Sequence, residues 1–197
     1  MLTWRKLALL FLIGAPLASV GDLFHVHTKT TFYPPEGDVF FIKGVPFWIP
    51  FIFGVAAGCF GIMYLMAKSL LGAKRFRQGS NVTEVIVAGL VYSLLHISSG
   101  YISHWSFPFP DVVLALPVIL AWYLLDRSSG GALACIIAAF IGVSAEIFLV
   151  HMGIFSFSDK ANQLFGVATW LGWVYMAGAL AIGRFVERRG PYEACET

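Results

Sequence analysis

Two long apolar runs meet at the stretch from Trp122 to Gly131, and this junction constrains the fold more than any other feature of the chain. The junction contains an acid and a base, Asp126 and Arg127, and ends in two glycines. Charge in the hydrocarbon core of a bilayer is expensive, so the junction has to lie at a membrane interface. It therefore ends one transmembrane helix and begins the next, and it places an acidic and a basic side chain where a partner or a lipid headgroup could reach them.

The composition indicates a polytopic membrane protein. Of the 197 residues, 58% are hydrophobic and 12% are charged, whereas an ordinary soluble domain carries about 25% charged residues. The three cysteines, Cys59, Cys135 and Cys195, have neither an even count nor the spacing of a disulfide framework or a zinc knuckle. We expect a single all-α domain over residues 1–197 without a cofactor.

Polar and turn-forming stretches divide the chain into six apolar segments, and each of them predicts a helix through the bilayer. The predicted helices cover about residues 6–24, 46–71, 82–101, 110–126, 131–151 and 164–185. Pro16 lies inside the first predicted helix, as is tolerated in membranes. Gly54, Gly58 and Gly61 give the second helix a face of small residues that favours close helix packing.

Six helices place both termini on one side of the membrane, and the distribution of Lys and Arg predicts which side it is. Of the 13 basic residues, ten lie on the side of the termini: Arg5, Lys6, Lys68, Lys74, Arg75, Arg77, Arg127, Arg184, Arg188 and Arg189. The other three are Lys29, Lys43 and Lys160. The positive-inside rule therefore predicts cytoplasmic termini. The membrane would be the cell membrane of a prokaryote or the endoplasmic reticulum membrane of a eukaryote.

Residues 68–77 form a basic loop in this interpretation. The loop lacks the length and the interleaved aromatic residues of a nucleic-acid surface. We interpret it as a topology signal and expect no nucleic-acid partner.

Glu146 is the most anomalous residue, because it lies inside the fifth predicted helix between Ala145 and Ile147. An ionised carboxylate at a helix centre costs roughly 2.5 to 3.5 kcal/mol on insertion scales. Two interpretations stay open: a polar group that faces a cavity, or a group that pairs with a neighbouring helix.

The five histidines all fall toward the side opposite the termini. His96 lies in the third predicted helix, where Ser99 shares its face, and a lone histidine within the membrane is more often a satisfied polar residue than a ligand. A metal site is conceivable on this side, but no HExxH motif is present and His25-x-His27 is a weak signal. We predict no metal ligands and no catalytic residues.

Asp126 has two interpretations from the sequence. Either it pairs with Arg127 or caps the fifth helix, or it contacts a partner. Trp122 lies four residues before it, on the same helical face. An indole at that position could line a pocket among the helices.

Several stretches of the chain resemble the insulin-induced gene protein (Insig) family, in the same order. They are residues 31–35 (Thr-Phe-Tyr-Pro-Pro), 47–50 (Phe-Trp-Ile-Pro), 71–77 with their basic cluster, His96, Trp122 with 125–128 (Leu-Asp-Arg-Ser), 148–150 (Phe-Leu-Val) with Gly153, and 169–171 (Thr-Trp-Leu). The resemblance covers roughly residues 7 to 186, and the spacing from Asp126 to Gly153 is shared.

The resemblance implies an Insig-like bundle of six transmembrane helices without enzymatic activity. Members of the family bind oxysterol within the membrane and hold sterol-sensing-domain proteins, namely the escort protein of a membrane-bound transcription factor and HMG-CoA reductase. By this resemblance, Trp122 and Asp126 match positions that are important for partner binding.

The chain also departs from the family pattern, because Glu146 stands where a neutral polar residue is expected and Ser129 replaces a second arginine. These departures suggest a minimal, prokaryotic relative. Many prokaryotes make no sterols, so the ligand would then be another neutral lipid with one polar end, such as diacylglycerol, in place of a sterol.

We predict a membrane-embedded, lipid-binding regulatory or sensor protein whose lipid site contains Glu146, His96, Trp122, Tyr92 and Trp170. We expect Asp126 and Trp122 to bind a polytopic membrane-protein partner, of the sterol-sensing-domain type in a eukaryote. A homo-oligomer is compatible with this function. The alternatives are a metal-dependent intramembrane hydrolase and a small proton-coupled transporter that uses Glu146.

Overall fold

The computed structural model describes residues 2–34, 40–42, 44–71 and 79–188. In this part the chain forms six α-helices, as predicted. They are α1 (Trp4–His27), α2 (Ile49–Leu70), α3 (Val82–Ile102), α4 (Phe109–Leu125), α5 (Ser129–His151) and α6 (Leu171–Glu187). Several residues used in the sequence interpretation lie outside the described residues: Lys43, Lys74, Arg75, Arg77, Arg189 and Cys195.

Four of these helices are long and apolar enough to cross a membrane: α1, α2, α3 and α5. The helices α4 and α6 have 17 residues each, which corresponds to a length of about 25 Å. Large apolar side chains are exposed on the outer surface of the bundle, and Phe140 and Leu116 are 74% and 64% exposed. An apolar outer surface of this kind suits contact with lipid.

The helices alternate in direction, so the bundle has two ends. At the terminal end, where α1 begins and α6 ends, Lys6 Nζ donates a hydrogen bond to the carbonyl of Val186 at 3.2 Å. At the opposite, distal end, Thr30 Oγ1 donates to the carbonyl of Gly100 at 3.0 Å. The start of α1 and the end of α6 therefore lie at the same end of the bundle.

The small-residue face of α2 packs against α1, as predicted. A Cβ added at Gly54 would lie 2.6 Å from the Phe11 ring, and one at Gly61 would lie 2.7 Å from Leu10 Cδ1. A side chain at either position would therefore force Phe11 or Leu10 to move. A Cβ built at Gly58 would lie 3.8 Å from Leu7 Cδ2, an ordinary van der Waals contact.

Helix α6 lies at the centre of the bundle, where it contacts α2, α3, α4 and α5. Small and apolar side chains on several of its faces are buried, among them Val174, Ala177, Ala179 and Leu180. Helix α1 packs on α2 and α3 instead. This arrangement lets α6 carry side chains to both ends of the interior.

Short antiparallel strands join the distal loops. Strand β1 (Thr31–Phe32) pairs with β4 (Ser156–Phe157), and β2 (Phe40–Ile42) pairs with β3 (Val45–Pro46). The β1–β4 pair ties the loop after α1 to the loop after α5. A short 3-10 turn follows at Asp159–Ala161.

Two helix starts differ from the prediction, by seven residues at α6 and by three residues at α2. Helix α6 begins at Leu171 rather than near residue 164, because Phe165 and Gly166 take positive φ angles in a turn that Leu164 and Val167 close. Helix α2 begins at Ile49 rather than near residue 46, because Val45–Pro46 belongs to strand β3. The other predicted ends agree with the structure to within three residues.

Candidate functional site

A group of polar and aromatic side chains lies inside the distal half of the bundle. We call it the distal polar cluster, and its members are Asp22, His25, Tyr33, Tyr92, His96, Glu146, Trp170 and Tyr175. Helices α1, α3, α5 and α6 supply all of them except Tyr33, which follows β1, and Trp170, which precedes α6. The cluster therefore joins elements that are far apart in the sequence.

Glu146 belongs to the wall that α5 and α6 form. Its Oε1 accepts a hydrogen bond of 2.6 Å from the Tyr175 hydroxyl. The Tyr175 ring lies directly against Gly142, where an added Cβ would come within 2.4 Å of the ring. The absence of a side chain at Gly142 thus lets the phenol reach Glu146, one helical turn further along α5.

His96 is held between α1 and its own helix. Its ring lies 5.0 Å from the His25 ring and 5.5 Å from the Tyr92 ring, measured between centroids. A Cβ at Gly21 would lie only 2.1 Å from His96 Nδ1, so the imidazole fills the space that this glycine leaves open. The residue is 6% exposed, and Nδ1 has no hydrogen-bond partner among the described residues.

Trp170 and His25 close the cluster near the distal end. His25 Nε2 and Ser99 Oγ are 2.8 Å apart, and Ser99 also donates to the His96 carbonyl at 2.7 Å. The Trp170 ring meets the His25 ring edge-on at 5.5 Å. Trp170 is 1% exposed, and within the described ranges its Nε1 donates to no partner.

Tyr33 reaches the cluster from the loop after β1. Its hydroxyl donates to Asp22 Oδ2 at 2.9 Å. Burial, and then the negative charges of Asp22 and Glu146, raise the pKa of the Tyr33 phenol well above its ordinary value. The phenol therefore remains a hydrogen-bond donor, and both carboxyl groups lie within electrostatic range of it.

A second polar site lies at the terminal end. We call it the terminal ion network, and it contains Tyr64, Lys68, Asp126, Ser128, Arg184 and Glu187. Asp126 lies at its centre and is 3% exposed. Its Oδ1 contacts Lys68 Nζ at 2.8 Å and Arg184 Nη2 at 3.1 Å. Glu187 completes the network by contacting the same two cations.

Two hydroxyl groups also donate to Asp126, the Tyr64 phenol to Oδ2 at 2.5 Å and Ser128 Oγ to Oδ1 at 2.8 Å. Burial by itself raises the pKa of the Asp126 carboxyl. The hydrogen bonds from Lys68 and Tyr64 and the charges of Arg184 and Lys68 outweigh burial, so the pKa lies below its ordinary value. Asp126 is therefore ionised at neutral pH.

The prediction that Asp126 is accessible at the interface was wrong, and so was its pairing with Arg127. Arg127 is exposed, takes a positive φ of 58°, and stacks its guanidinium 4.1 Å from the Tyr123 ring centroid. The cap of α5 is Ser128, whose Oγ accepts from the Gly131 N–H at 2.9 Å. Asp126 instead binds two cations that come from α2 and α6.

The five residues predicted for the lipid site do not form one group. Glu146, His96, Tyr92 and Trp170 belong to the distal polar cluster. Trp122 lies at the terminal end, where its Nε1 donates to the Ser128 carbonyl at 3.2 Å. Asp126 and Trp122, the predicted partner-binding pair, thus lie together beside Ser128.

Sequence reasoning left out some residues that complete these sites. Asp22, Tyr33 and Tyr175 in the distal cluster, and Lys68 and Arg184 in the terminal network, were not assigned there. Lys68 and Arg184 were counted only as topology signals, yet they are 7% and 0% exposed. Their positions inside predicted helices were the available signal, because a cation in a span needs a partner.

The histidines give no metal centre in the part of the chain that the structure describes. No group of three or more His, Cys, Asp or Glu side chains there could hold a metal ion. His25 and His96 do adjoin each other, but His25 engages Ser99.

The fold and the two polar sites define a polytopic helical membrane protein, with one polar cluster buried in its distal half and an ion network at its terminal end. No family model matches the chain. An INSIG protein homolog from Mycolicibacterium vanbaalenii is 31% identical over 199 residues, which cover 95% of this chain and 91% of the homolog. Insulin-induced gene 1 protein of Gallus gallus is 25% identical over 188 residues, which cover 92% of this chain and 72% of that protein.

The solved structures agree with these sequence matches. The crystal structure of the mycobacterial Insig homolog MvINS from Mycobacterium vanbaalenii matches with a TM-score of 0.85 at 26% identity, over 95% of each chain. A cross-linked trimer of MvINS gives the same TM-score over 94% of each chain. The chain belongs to the Insig family, as its resemblance in the sequence predicted.

Proposed function

We propose that this protein is a membrane-embedded, lipid-binding regulatory protein whose ligand lies among the helices beside the distal polar cluster. The ligand is an amphiphile with one polar end, such as a sterol or a diacylglycerol. Its apolar part packs along the bundle, and its polar end hydrogen-bonds to Glu146, His96, Tyr92 or Trp170. The protein acts without catalysis.

The observation that carries this proposal is the pair of unsatisfied buried nitrogens, His96 Nδ1 and Trp170 Nε1. Buried polar groups in proteins nearly always have a partner. Trp170 Nε1 can only donate, and a neutral imidazole nitrogen either donates or accepts. A lipid hydroxyl supplies the missing partner in either case, and an ester oxygen supplies it where the nitrogen carries a hydrogen. Ligand sites in helix bundles commonly combine apolar walls with a few such polar groups.

Regulation follows from the way the cluster joins the helices. A lipid that contacts α1, α3, α5 and α6 together favours one arrangement of these four helices over others. A polytopic membrane protein, of the sterol-sensing-domain type in a eukaryote, would bind the favoured arrangement. A homo-oligomer is a second form of assembly, supported by the cross-linked trimer of MvINS.

Trp122 and Asp126 take different parts in this proposal. Asp126 is enclosed by its own chain, so its effect on a partner is indirect, through the positions of α2, α4 and α6. Trp122 is half-buried beside it and offers part of its indole surface. We place the partner-binding surface around Trp122 at the terminal end and the lipid at the distal end.

Native mass spectrometry with lipid extraction tests the proposal on gently purified protein. A single retained lipid at fixed stoichiometry supports a lipid sensor and identifies the ligand class. Glu146→Leu should then weaken the binding of a hydroxylated lipid more than that of a wholly apolar one. Ala145→Leu, on the exposed side of the same helix, is the matched control. Equal losses for both lipids would remove Glu146 from the site.

The alternative of a proton-coupled transporter has its own test. Transport in liposomes that is lost in Glu146→Gln would favour it. The hydrolase alternative requires a stoichiometric metal in purified protein, with ligands beyond the pair of adjacent histidines.

A further inference from the structure

Two acidic side chains of the distal polar cluster have no cationic partner among the described residues. Asp22 accepts one hydrogen bond, from Tyr33, and Glu146 accepts one, from Tyr175. The ion pairs of the described ranges lie at the terminal end, around Lys68 and Arg184. Each carboxyl group therefore keeps one oxygen, Oδ1 of Asp22 and Oε2 of Glu146, without a described partner.

The two carboxyl groups share one environment. Asp22 interacts electrostatically with Glu146 and with Tyr92, and Tyr33 lies within range of both acids. Two like charges in a membrane interior are costly unless a cation compensates them. The charged and polar groups around them are phenols and the imidazoles of His25 and His96, none of which is a permanent cation.

A second feature points to a ligand at the same place. His96 lies against Gly21, the residue before Asp22, and its buried Nδ1 lacks a partner among the described residues. The rings of Tyr92 and Trp170 border the imidazoles of this cluster. Aromatic faces together with carboxylates are the surroundings in which proteins hold ammonium groups.

We propose that the polar end of the bound amphiphile carries a protonated primary amine. An ammonium group has three N–H donors and no acceptor. The cluster offers three acceptors, namely Asp22 Oδ1, Glu146 Oε2 and His96 Nδ1. A sterol hydroxyl has one donor and no charge, so it would leave both acids without a counter-charge. This inference rests on the proposed function, because it names the group on the lipid's polar end that the two acids and His96 bind. Trp170 Nε1, which can only donate, needs a separate oxygen acceptor on the same lipid.

The experiment compares three probes with one hydrocarbon chain: oleylamine, oleyl alcohol and N-acetyl oleylamine. Binding to the purified, full-length protein is measured in lipid nanodiscs, with empty nanodiscs subtracted. Hydrogen bonds to charged groups predict that the amine binds roughly ten- to a hundredfold more tightly than the alcohol. The acetylated amine, which has no charge, should bind no better than the alcohol.

Isosteric variants of the two acids test whether the preference for the amine over the alcohol comes from the distal polar cluster. Asp22→Asn and Glu146→Gln should each reduce the ratio of amine to alcohol affinity by at least about tenfold. Asp111→Asn is the matched control, because this half-buried acid accepts a single hydroxyl bond of 2.7 Å from Thr169. Thermal unfolding without probe checks that each variant folds.

The outcomes separate the two proposals. Equal binding of amine and alcohol would overturn the amine inference and leave the lipid-binding function standing. Binding of no probe would overturn the amine inference, and the proposed function would be contradicted as well only if native mass spectrometry also found no retained lipid. An amine preference that persists in both variants would also overturn the inference, because the amine would then bind outside the cluster. If a variant fails to fold, the ratio of amine to alcohol affinity in the wild-type protein still tests the amine inference.

Discussion

Asp126→Asn is the substitution that most directly tests the terminal ion network. The side chain keeps its size and loses its charge. In the structure the carboxylate accepts hydrogen bonds from Tyr64, Lys68, Ser128 and Arg184, and it is 3% exposed. The amide has a single acceptor oxygen, so it can keep only one of the two hydroxyl donors, which now bind separate oxygens. It also cannot balance two cations.

The magnitude follows from what remains after the substitution. Breaking a buried ion pair by removing one partner costs about 3–5 kcal/mol, because the other charge stays buried without compensation. Here Glu187 still contacts Lys68 Nζ at 2.6 Å and also contacts Arg184. We therefore expect the lower end of that range, about 3 kcal/mol.

Thermal unfolding of the purified protein in detergent measures the effect. For a chain of this size, a loss of about 3 kcal/mol lowers Tm by about 6–12 °C. Arg127→Ala is the matched control, because its side chain is exposed and, among the described residues, contacts the ring and the carbonyl of Tyr123. A surface change of this kind stays within about 0.5 kcal/mol. If Asp126→Asn shifts Tm no more than Arg127→Ala, the network does not stabilise the bundle as argued.

Three further predictions use other contacts. Gly21→Ala should destabilise the protein by about 1–3 kcal/mol, because the added methyl group would overpack against His96. Gly89→Ala is its control and should not destabilise the protein in this way, because the space around a Cβ at Gly89 is open. Equal Tm values of the two variants in unfolding scans would contradict this prediction. Ser128→Ala removes the N-cap of α5 and should lower the free energy of unfolding by about 1 kcal/mol or more. Because Ser128 and Asp126 contact each other, the double variant with Asp126→Asn should lose less than the sum of the two single losses, and a double-mutant cycle measures this difference. Folding lowers the pKa of Asp126 from its ordinary value of 3.8. The stabilisation that the ionised carboxylate gives is therefore complete above pH 3.8 and is lost as the pH falls through the lower pKa of the folded state. The Tm difference between wild type and Asp126→Asn should shrink in strong acid, and a constant difference would contradict a stabilising role of the ionised Asp126.

The sequence by itself determined the class of the protein, the number of helices and their alternation. These features depend on local hydrophobicity and on where charges and turn residues interrupt it. The ends of α3 and α5 were also predictable to within two residues. The start of α6 was not, because a positive φ at Phe165 and Gly166 is a property of a folded turn rather than of hydrophobicity.

Only the tertiary structure decided which polar residues meet. Glu146 was recognisable as an anomaly, but its partner Tyr175 is 29 residues away on another helix. Asp126 was assigned to the interface because its neighbour Arg127 is charged, yet it is buried against Lys68 and Arg184, each 58 residues distant. Helical periodicity gives the direction in which a side chain points along its own helix. The helix that lies opposite is set by packing of the whole bundle, and here the central position of α6 carries Tyr175 to one site and Arg184 to the other.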